Sequence, residues 1–331
     1  MSSPRRAASV LLSLLALMLV AAVMFGSDFK VSEVLTLLTG SAGHGPREES
    51  LRMAIFGLRM PRAALMALVG MALGVCGATL QSCLQNPLAD SSLLGVSSGA
   101  SLGAVIAITL KLGARSPLWV PASAFMGALV TLLLVYVIAH SFGRPSAVAL
   151  LLTGVALSSL SSALVSVLLL AGGEHRVEEI VAWLLGSVER CDWNDLWLAA
   201  PPILFGTVML LTMRRSIDAL ALGEEQAQAV GVNVLRARAL LFAWVALVAG
   251  CAVSLTGPIA FIGLIVPHMV RALTGPSARA LLPNAAIGGA ALLVGCDLIA
   301  RVASVSVVVP VGVVTALLGV PFFLILLSRS S

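Results

Sequence analysis

The sequence predicts an all-α integral membrane protein in which residues 1–331 form a single domain with about ten transmembrane helices. The chain is 59% hydrophobic and only 11% charged, whereas soluble domains carry about 25% charged residues. Its apolar runs are rich in Leu, Ala, Val and Gly and are about 20 residues long. That length is typical of membrane-spanning helices and not of the alternating strands of a barrel.

The first apolar run follows a basic N-terminus that contains Arg5 and Arg6. It could pass for a signal peptide, but at about 17 residues it is long for one, and further spans follow it. We therefore expect it to be retained as a first helix that begins in the cytoplasm.

The long run 236–271 is divided at Thr256-Gly257-Pro258, since proline removes a hydrogen-bond donor and ends the preceding helix. Its second piece is short for a bilayer, so it is tilted, broken or buried among its neighbours. If it crosses, both termini lie in the cytoplasm. The predicted spans are 8–26, 61–83, 94–110, 118–140, 147–171, 196–213, 236–256, 258–271, 282–303 and 308–327.

Charge does not decide the orientation, because the 20 Lys and Arg residues divide equally between the two sides of these spans. No basic block with interleaved aromatic residues indicates nucleic-acid binding. The five cysteines form no CxxC pair and the histidines do not cluster, so neither a disulfide framework nor a metal site is predicted.

Two segments outside the spans have helical patterns. Residues 31–38 predict a short helix, and residues 174–187 predict an interfacial amphipathic helix with Trp183 at the headgroup level. The second is either a plain surface helix or a gate over a cavity. Its apolar face would consist of Val177, Ile180, Val181 and Leu184.

The loop 214–235 contains a long polar stretch at 219–233 that predicts two short helices. They form either a solvated connector or a projection that another protein grips. Substituting Glu224 or Glu225 alone is expected to have little effect, because surface charges contribute little. The local signals are Asp218 as a cap, Gly223 as a break, Glu224 and Glu225 at the start of the second helix, and Gly231 as a left-handed stop.

Glycines at four-residue spacing predict close helix packing within the membrane. A faint similarity between 67–77 and 246–257 suggests an inverted repeat, as in many transporters, although two Ala/Gly/Val-rich helices resemble each other easily. The packing glycines are Gly70, Gly74, Gly95, Gly99 and Gly103.

Short catalytic motifs do not indicate an enzyme. GVSSG at 95–99 matches a nucleophile elbow, but it opens an apolar helix instead of following a strand. A P-loop needs a lysine directly after glycine, and Lys30 and Lys111 follow Phe29 and Leu110. ATP-driven transport would therefore require another subunit.

Charged residues within spans are expensive and usually functional. Asp297 and Arg301 are spaced for an ion pair along one helix. An ion-coupled secondary transporter is an alternative, but Asp297 is its one candidate coupling group. Arg59 and Arg62 flank Pro61, and with Arg301 they could bind carboxylates of a docking protein or lipid headgroups.

Four motifs together carry a family resemblance, namely RMPRAALMALVGMALGVCGATLQSCLQNPLADSSLLGVSSGAS at 59–101, ALALGEEQAQAVGV at 219–232, GPIAFIGLIVPHMVR at 257–271 and VGVVTALLGVPFFLILL at 311–327. The chain resembles FecCD-type permeases of ABC importers from about residue 30 to 327. Members of this family import iron–siderophore complexes, haem and cobalamin. The resemblance implies a vitamin-B12-importer-like bundle of ten helices with an inverted repeat.

The resemblance also implies partners. These are a second permease copy in a homodimer or a near relative, two ATP-binding-cassette ATPases that hold ATP and Mg, and a periplasmic substrate-binding protein. No cofactor is expected in this chain, and the resemblance implies a transport subunit of the bacterial inner membrane and not an enzyme. Its expected cargo is an iron chelate, either siderophore or haem, with cobalamin as the alternative cargo. A more distant alternative function is that of an ion-coupled secondary transporter.

Carried over by position, the resemblance assigns binding-protein docking to Arg59, Arg62 and Arg301 and makes 174–187 the periplasmic gate helix. After NPLA this chain has Asp90-Ser91-Ser92 where an acid-proline is usual, so a looser turn is expected. ATPase coupling falls on Ala219, Leu220, Leu222, Gly223, Glu224, Glu225, Ala227 and Gly231.

Overall fold

The structure is a computed structural model that describes residues 4–25, 29, 31–38, 45–141, 147–171, 173–186, 188, 191–304 and 309–330. Throughout these ranges the regular structure is helical. The α-helices are α1 Pro4–Met24, α2 Val31–Leu38, α3 Pro46–Arg52, α4 Met60–Cys83, α5 Val96–Thr109, α6 Trp119–Ser141, α7 Ala147–Leu170, α8 Glu174–Leu184, α9 Trp193–Thr212, α10 Arg214–Leu222, α11 Glu224–Ala229, α12 Val234–Thr256, α13 Ile262–Thr274, α14 Ala278–Ala303 and α15 Val311–Ser330.

Seven helices in the described ranges are long and apolar enough to cross a membrane, and α5, α13 and α15 are shorter apolar helices. Together they occupy the positions of the ten predicted spans. The second span is longer than expected, because α3 and a π-helical segment Met53–Arg59 run directly into α4. The short helix at 31–38 is confirmed as α2.

The break after α12 lies at Gly257, as predicted, but the next helix begins at Ile262 and not at residue 258. At 13 residues, α13 is about 20 Å long, shorter than the ~30 Å hydrocarbon layer. Gln81 of α4 stabilises its start by donating to the carbonyls of Gly263 and Leu264 at 3.2 and 3.3 Å. The short piece is therefore held inside the bundle by a buried polar side chain.

Helices α4 and α14 run antiparallel in close contact. The glycines predicted for packing lie at this contact: a Cβ on Gly70 would meet the carbonyl oxygen of Gly289, and one on Gly74 would meet that of Ala285. Gly77 lies equally close to Gly263 of α13. These backbones therefore touch, and α4 and α14 form one closely packed pair.

The second glycine series lies between α5 and α6. A Cβ on Gly99 would overlap Thr131 and the carbonyl of Gly127, and one on Gly103 would overlap the carbonyl of Ser123. The GVSSG sequence thus opens a tightly packed helix. Its setting is not the strand and turn that a nucleophile elbow requires.

The loop between α4 and α5 is well hydrogen-bonded despite the missing proline. Asp90 is buried and its Oδ1 accepts from the Ser91 amide at 2.7 Å. Its Oδ2 accepts from the Ser92 hydroxyl at 3.1 Å. Asp90 thus caps a short 3-10 helix at Ser91–Leu94, and these bonds hold the turn without the proline.

Helix α9 begins at Trp193, earlier than the predicted span, because Asp192 caps it by accepting from the amides of Asn194 and Asp195. These bonds, first of all the one from Asp195, hold the pKa of Asp192 below its usual value. The Trp193 indole donates to the Phe56 carbonyl at 2.7 Å and fixes this end of α9 beside the π-helical segment.

Candidate functional site

Helices α10 and α11, here called the α10–α11 pair, form one end of the bundle. The predicted cap is wrong: Asp218 lies inside α10, which begins four residues earlier at Arg214. Its carboxylate instead accepts from the amide of Ala278 at 2.6 Å, at the first turn of α14. Sequence reasoning assigned the side chain to its own helix because a distant partner leaves no local signal.

The turn between the two helices follows the prediction. Gly223 has a φ of 118°, which favours glycine, and its carbonyl accepts from the Ala227 amide at 2.9 Å. Gly231 has a φ of 83° after the end of α11, and the Val232 amide donates back to the Ala227 carbonyl at 2.9 Å. Local sequence therefore fixes both ends of α11.

The eight predicted coupling residues divide into two groups. Ala219, Leu220 and Ala227 are buried and anchor the pair. The remaining five are exposed or half-buried and face outward: Leu222, Gly223, Glu224, Glu225 and Gly231.

Two apolar side chains stand out on this surface. Leu222, at the end of α10, and Val230, just after α11, are each 69% exposed, so both leave apolar surface uncovered at this end of the bundle. Val230 was missed from the sequence because it reads as part of the buried stop of α11.

Three side-chain contacts tie the α10–α11 pair to spanning helices. Asp218 binds the start of α14, as described above. Gln85, just after α4, donates to the Ala221 carbonyl at 3.1 Å. Glu224 of α11 accepts from Arg238 of α12 at 2.7 Å, and Arg238 is buried. The expectation that Glu224 behaves as a plain surface charge therefore does not fit its position.

At the opposite end lies the arginine cluster, which consists of Arg59, Arg62, Arg301 and Asp297. Arg62 donates through Nε and Nη2 to Oδ1 of Asp297, at 2.9 and 2.7 Å. The predicted pairing of Asp297 with Arg301 is present, with Arg301 Nε 3.1 Å from Oδ2. The structure thus brings together all three arginines that the sequence singled out.

The cluster also holds the end of α1. Arg301 donates to the Ala22 carbonyl at 2.8 Å, and Arg59 donates to the Val23 carbonyl at 3.1 Å. These are carbonyls of the last helical turn, where positive charge is favoured. Two guanidiniums, those of Arg62 and Arg301, bind the one carboxylate of Asp297, and Arg59 lies near Arg301, so the cluster keeps a surplus of positive charge.

Burial distinguishes the cluster from simple headgroup anchors. The Asp297 side chain is 1% exposed, and those of Arg62 and Arg301 are 17% and 14% exposed. Burial lowers the electrostatic screening of these charges.

Helix α8 ends at Leu184, short of the predicted residue 187, which lies outside the described part of the chain. Its apolar face is narrower than the sequence pattern indicates: Ile180 is fully buried against α5, whereas Val181 is 40% exposed. The end of α8 borders an apolar cavity of about 630 Å³ shared with Pro258, Ala260 and α15.

The sequence pattern of the FecCD transport family matches residues 13–329. The chain belongs to the FecCD transport family.

Individual relatives in this family are similar over most of their length. The cobalamin import system permease protein of Halobacterium salinarum is 42% identical over 84% of this chain and 74% of its own. The hemin transport system permease protein of Yersinia pestis is 38% identical over 82% of each chain. The Fe(3+) dicitrate transport system permease protein of Escherichia coli is 39% identical over 82% of this chain and 84% of its own.

The fold agrees with this membership. A solved transporter described as of the metal-chelate ABC type, in an inward-facing conformation, superposes with a TM-score of 0.86 and 30% identity. The match covers 98% of this chain and 99% of that one. The all-α permease fold predicted from the sequence is confirmed.

Membership in the FecCD family also fixes the general role of the chain. It is a multi-pass membrane permease of an ABC importer, a class that works with ATPase and substrate-binding partners. The relatives are transport components and not enzymes, as the sequence motifs indicated.

Proposed function

We propose that this FecCD permease carries a bulky metal chelate across the inner membrane by alternating access. The observation that carries the proposal is that the closely packed helices α4 and α14 connect the two candidate docking ends of the bundle. One end of α14 is bonded to the α10–α11 pair through Asp218, and the other end is bonded to Arg62 of α4 through Asp297. This helix pair thus joins the two candidate docking ends.

In this proposal, two ATPase subunits bind the α10–α11 pair in the cytoplasm. ATP and Mg²⁺ are bound by those ATPases and not by this chain. Both termini then lie in the cytoplasm: α1 ends and α15 begins at the opposite, arginine end. A second copy of the chain completes the pathway as a homodimer.

The proposed translocation pathway passes the apolar cavity beside α8. Its walls include Leu184, Pro258 and Leu317, which are apolar and carry no charge. Such walls suit a large chelate whose metal is already enclosed by its own ligands. Helix α8 would act as the outer gate, because its end and the loop after α12 border the same cavity.

The arginine cluster is the proposed docking site for the substrate-binding protein. Replacing Arg62 by glutamate would place two carboxylates against each other, and misfolding would hide any docking effect. The single variant Arg62→Gln avoids this, because Asp297 keeps its ion pair with Arg301. We expect it to weaken docking by about tenfold, or about 1.4 kcal/mol, because the partner's carboxylate loses a fork-shaped donor.

Docking is measured as binding of the purified substrate-binding protein to the reconstituted importer. The matched control is Arg115→Gln, an exposed arginine in the loop between α5 and α6. Wild-type docking should also weaken between about 0.05 and 0.5 M salt. Unchanged affinity in Arg62→Gln at low salt would remove the docking role.

The chelate class rests on what the relatives carry by name. Iron chelates are supported by the hemin and Fe(3+) dicitrate permeases, and cobalamin by the permease of Halobacterium salinarum. The cargo class is therefore an iron chelate or a corrinoid.

The absorption spectrum of the ligand held by the cognate binding protein separates these cargoes. A Soret band indicates haem, a corrinoid spectrum indicates cobalamin, and a catecholate charge-transfer band indicates a siderophore. We expect one of these three spectra or, for an iron–citrate complex, bound iron without any of them, with competition by the same compound in an uptake assay. A cargo without bound metal would contradict the proposed class.

A further inference from the structure

Helix α11 has six residues, and a helix that short is not stable by itself in water. It depends on contacts with the rest of the protein. Ala227 provides one, since it is fully buried. Glu224 provides another through its bond to Arg238 on the second turn of α12.

The bond between Glu224 and Arg238 joins unequal environments. The Arg238 side chain is 6% exposed and that of Glu224 is 52% exposed, and the two charged atoms are 2.7 Å apart. A buried guanidinium favours keeping its carboxylate, because separation leaves an uncompensated charge inside the protein. Displacement of α11 is therefore opposed unless α12 follows.

Helix α12 extends from this ion pair to the loop at the opposite end of the bundle. It packs against α4, α6 and α9 on its way. It ends at Thr256 and Gly257, beside the Trp183 carbonyl of α8. A shift of α12 consequently reaches the residues that border the apolar cavity.

We propose that Glu224 and Arg238 form a positioning pair that transmits movement of α11 to α12 and so couples ATP hydrolysis to opening of the pathway. This inference rests on the proposed function of the α10–α11 pair. In this proposal Glu224 and Arg238 act through α12 and not by contact with cargo or nucleotide. The contacts of Asp218 and Gln85 hold α10 by neutral donors, whereas this contact holds α11 by charge.

The primary test is Arg238→Gln, which leaves Glu224 half-exposed to water and so leaves no charge buried without a partner. The matched control is Arg236→Gln, which removes an exposed arginine two residues away on the same helix. The complete importer is reconstituted in vesicles, and ATP hydrolysed per cargo molecule imported is measured. We expect this ratio to rise at least fivefold for Arg238→Gln and to stay within twofold for Arg236→Gln.

A double-mutant cycle with Glu224→Gln tests whether the two residues act as a unit. We expect the double variant to have the same ratio as Arg238→Gln alone. Copurified ATPase reports assembly of each variant, so a misassembled complex is recognised. If the increases in this ratio from the two single variants multiply in the double variant, the two residues act independently and the inference is overturned.

The inference and the proposed function fail in different ways. If Arg238→Gln keeps the wild-type ratio while disruption of α11 by Ala227→Pro uncouples transport, the ion pair does not transmit the movement. If Ala227→Pro also keeps the wild-type ratio, the α10–α11 pair is not the coupling site.

Discussion

Gly289→Ala is expected to destabilise the permease by about 3 kcal/mol, at the upper end for overpacking. A Cβ at this position would overlap the carbonyl oxygen of Gly70 and approach the Cα of Gly74 at 3.3 Å. Both obstacles are backbone atoms of α4, so no side chain can rotate away. Helices α4 and α14 must separate to make room. The ratio of folded to unfolded protein therefore falls about 100-fold.

The measurement is unfolding of the purified permease in mixed micelles with increasing denaturing detergent. Gly295→Ala is the matched control on the same helix, since its Cβ would make an ordinary contact with Met18 at 3.5 Å. It should unfold like the wild type within experimental error. Equal stability of the two variants would show that α4 and α14 do not need their backbone contact.

Ala227→Pro is expected to reduce cargo uptake at least tenfold while ATP hydrolysis continues. Proline removes the amide that donates to the Gly223 carbonyl at 2.9 Å, the first hydrogen bond of α11. The ring also clashes with that carbonyl, and together these effects cost about 3 kcal/mol. A helix of one and a half turns does not survive such a loss, so the ATPases would move against a disordered segment.

Uptake and hydrolysis are measured in the same vesicles, so that uncoupling is separated from loss of the complex. Gln228→Ala serves as the control, because it changes the adjacent exposed residue and keeps its amide. It should import cargo at the wild-type rate. Normal uptake by Ala227→Pro would contradict a coupling role for the α10–α11 pair.

The two variants act on the two mechanical parts of the proposed transporter. The first breaks the closely packed pair that joins the docking ends, and the second breaks the segment that receives force. Unfolding of the whole bundle should become easier in Gly289→Ala, whereas in Ala227→Pro the loss should be confined to local unfolding of α11, which lies at the periphery of the bundle.

Short-range features could be predicted because their causes are local. Proline and glycine ended α12 where the sequence indicated, and Gly223 and Gly231 bounded α11. The restart at Ile262 was not predicted: Phe261 before it has a φ of 69°, and Gln81 donates to carbonyls 182 and 183 residues away, a contact that leaves no local signal. Apolar composition alone left that boundary open.

The residues of the candidate sites could be predicted from the sequence, but their burial and their bonding partners could not. The arginines were named from their positions beside spans, yet their burial around Asp297 and their bonds to α1 depend on three helices meeting. Glu224 was judged a surface charge because its partner Arg238 reads as one more basic residue at the start of a span. Burial of Arg238 turns that contact into a tie between helices.

The sequence by itself determined the membrane environment, the approximate spans, the breaks at Gly223, Gly231 and Gly257 and the family, because hydrophobicity, helix breaks and motifs are properties of contiguous residues. The tertiary structure alone decided which glycine faces which backbone, which carboxylate caps which helix and which charges are buried. The physical reason is that close packing and desolvation depend on atoms brought together from distant parts of the chain.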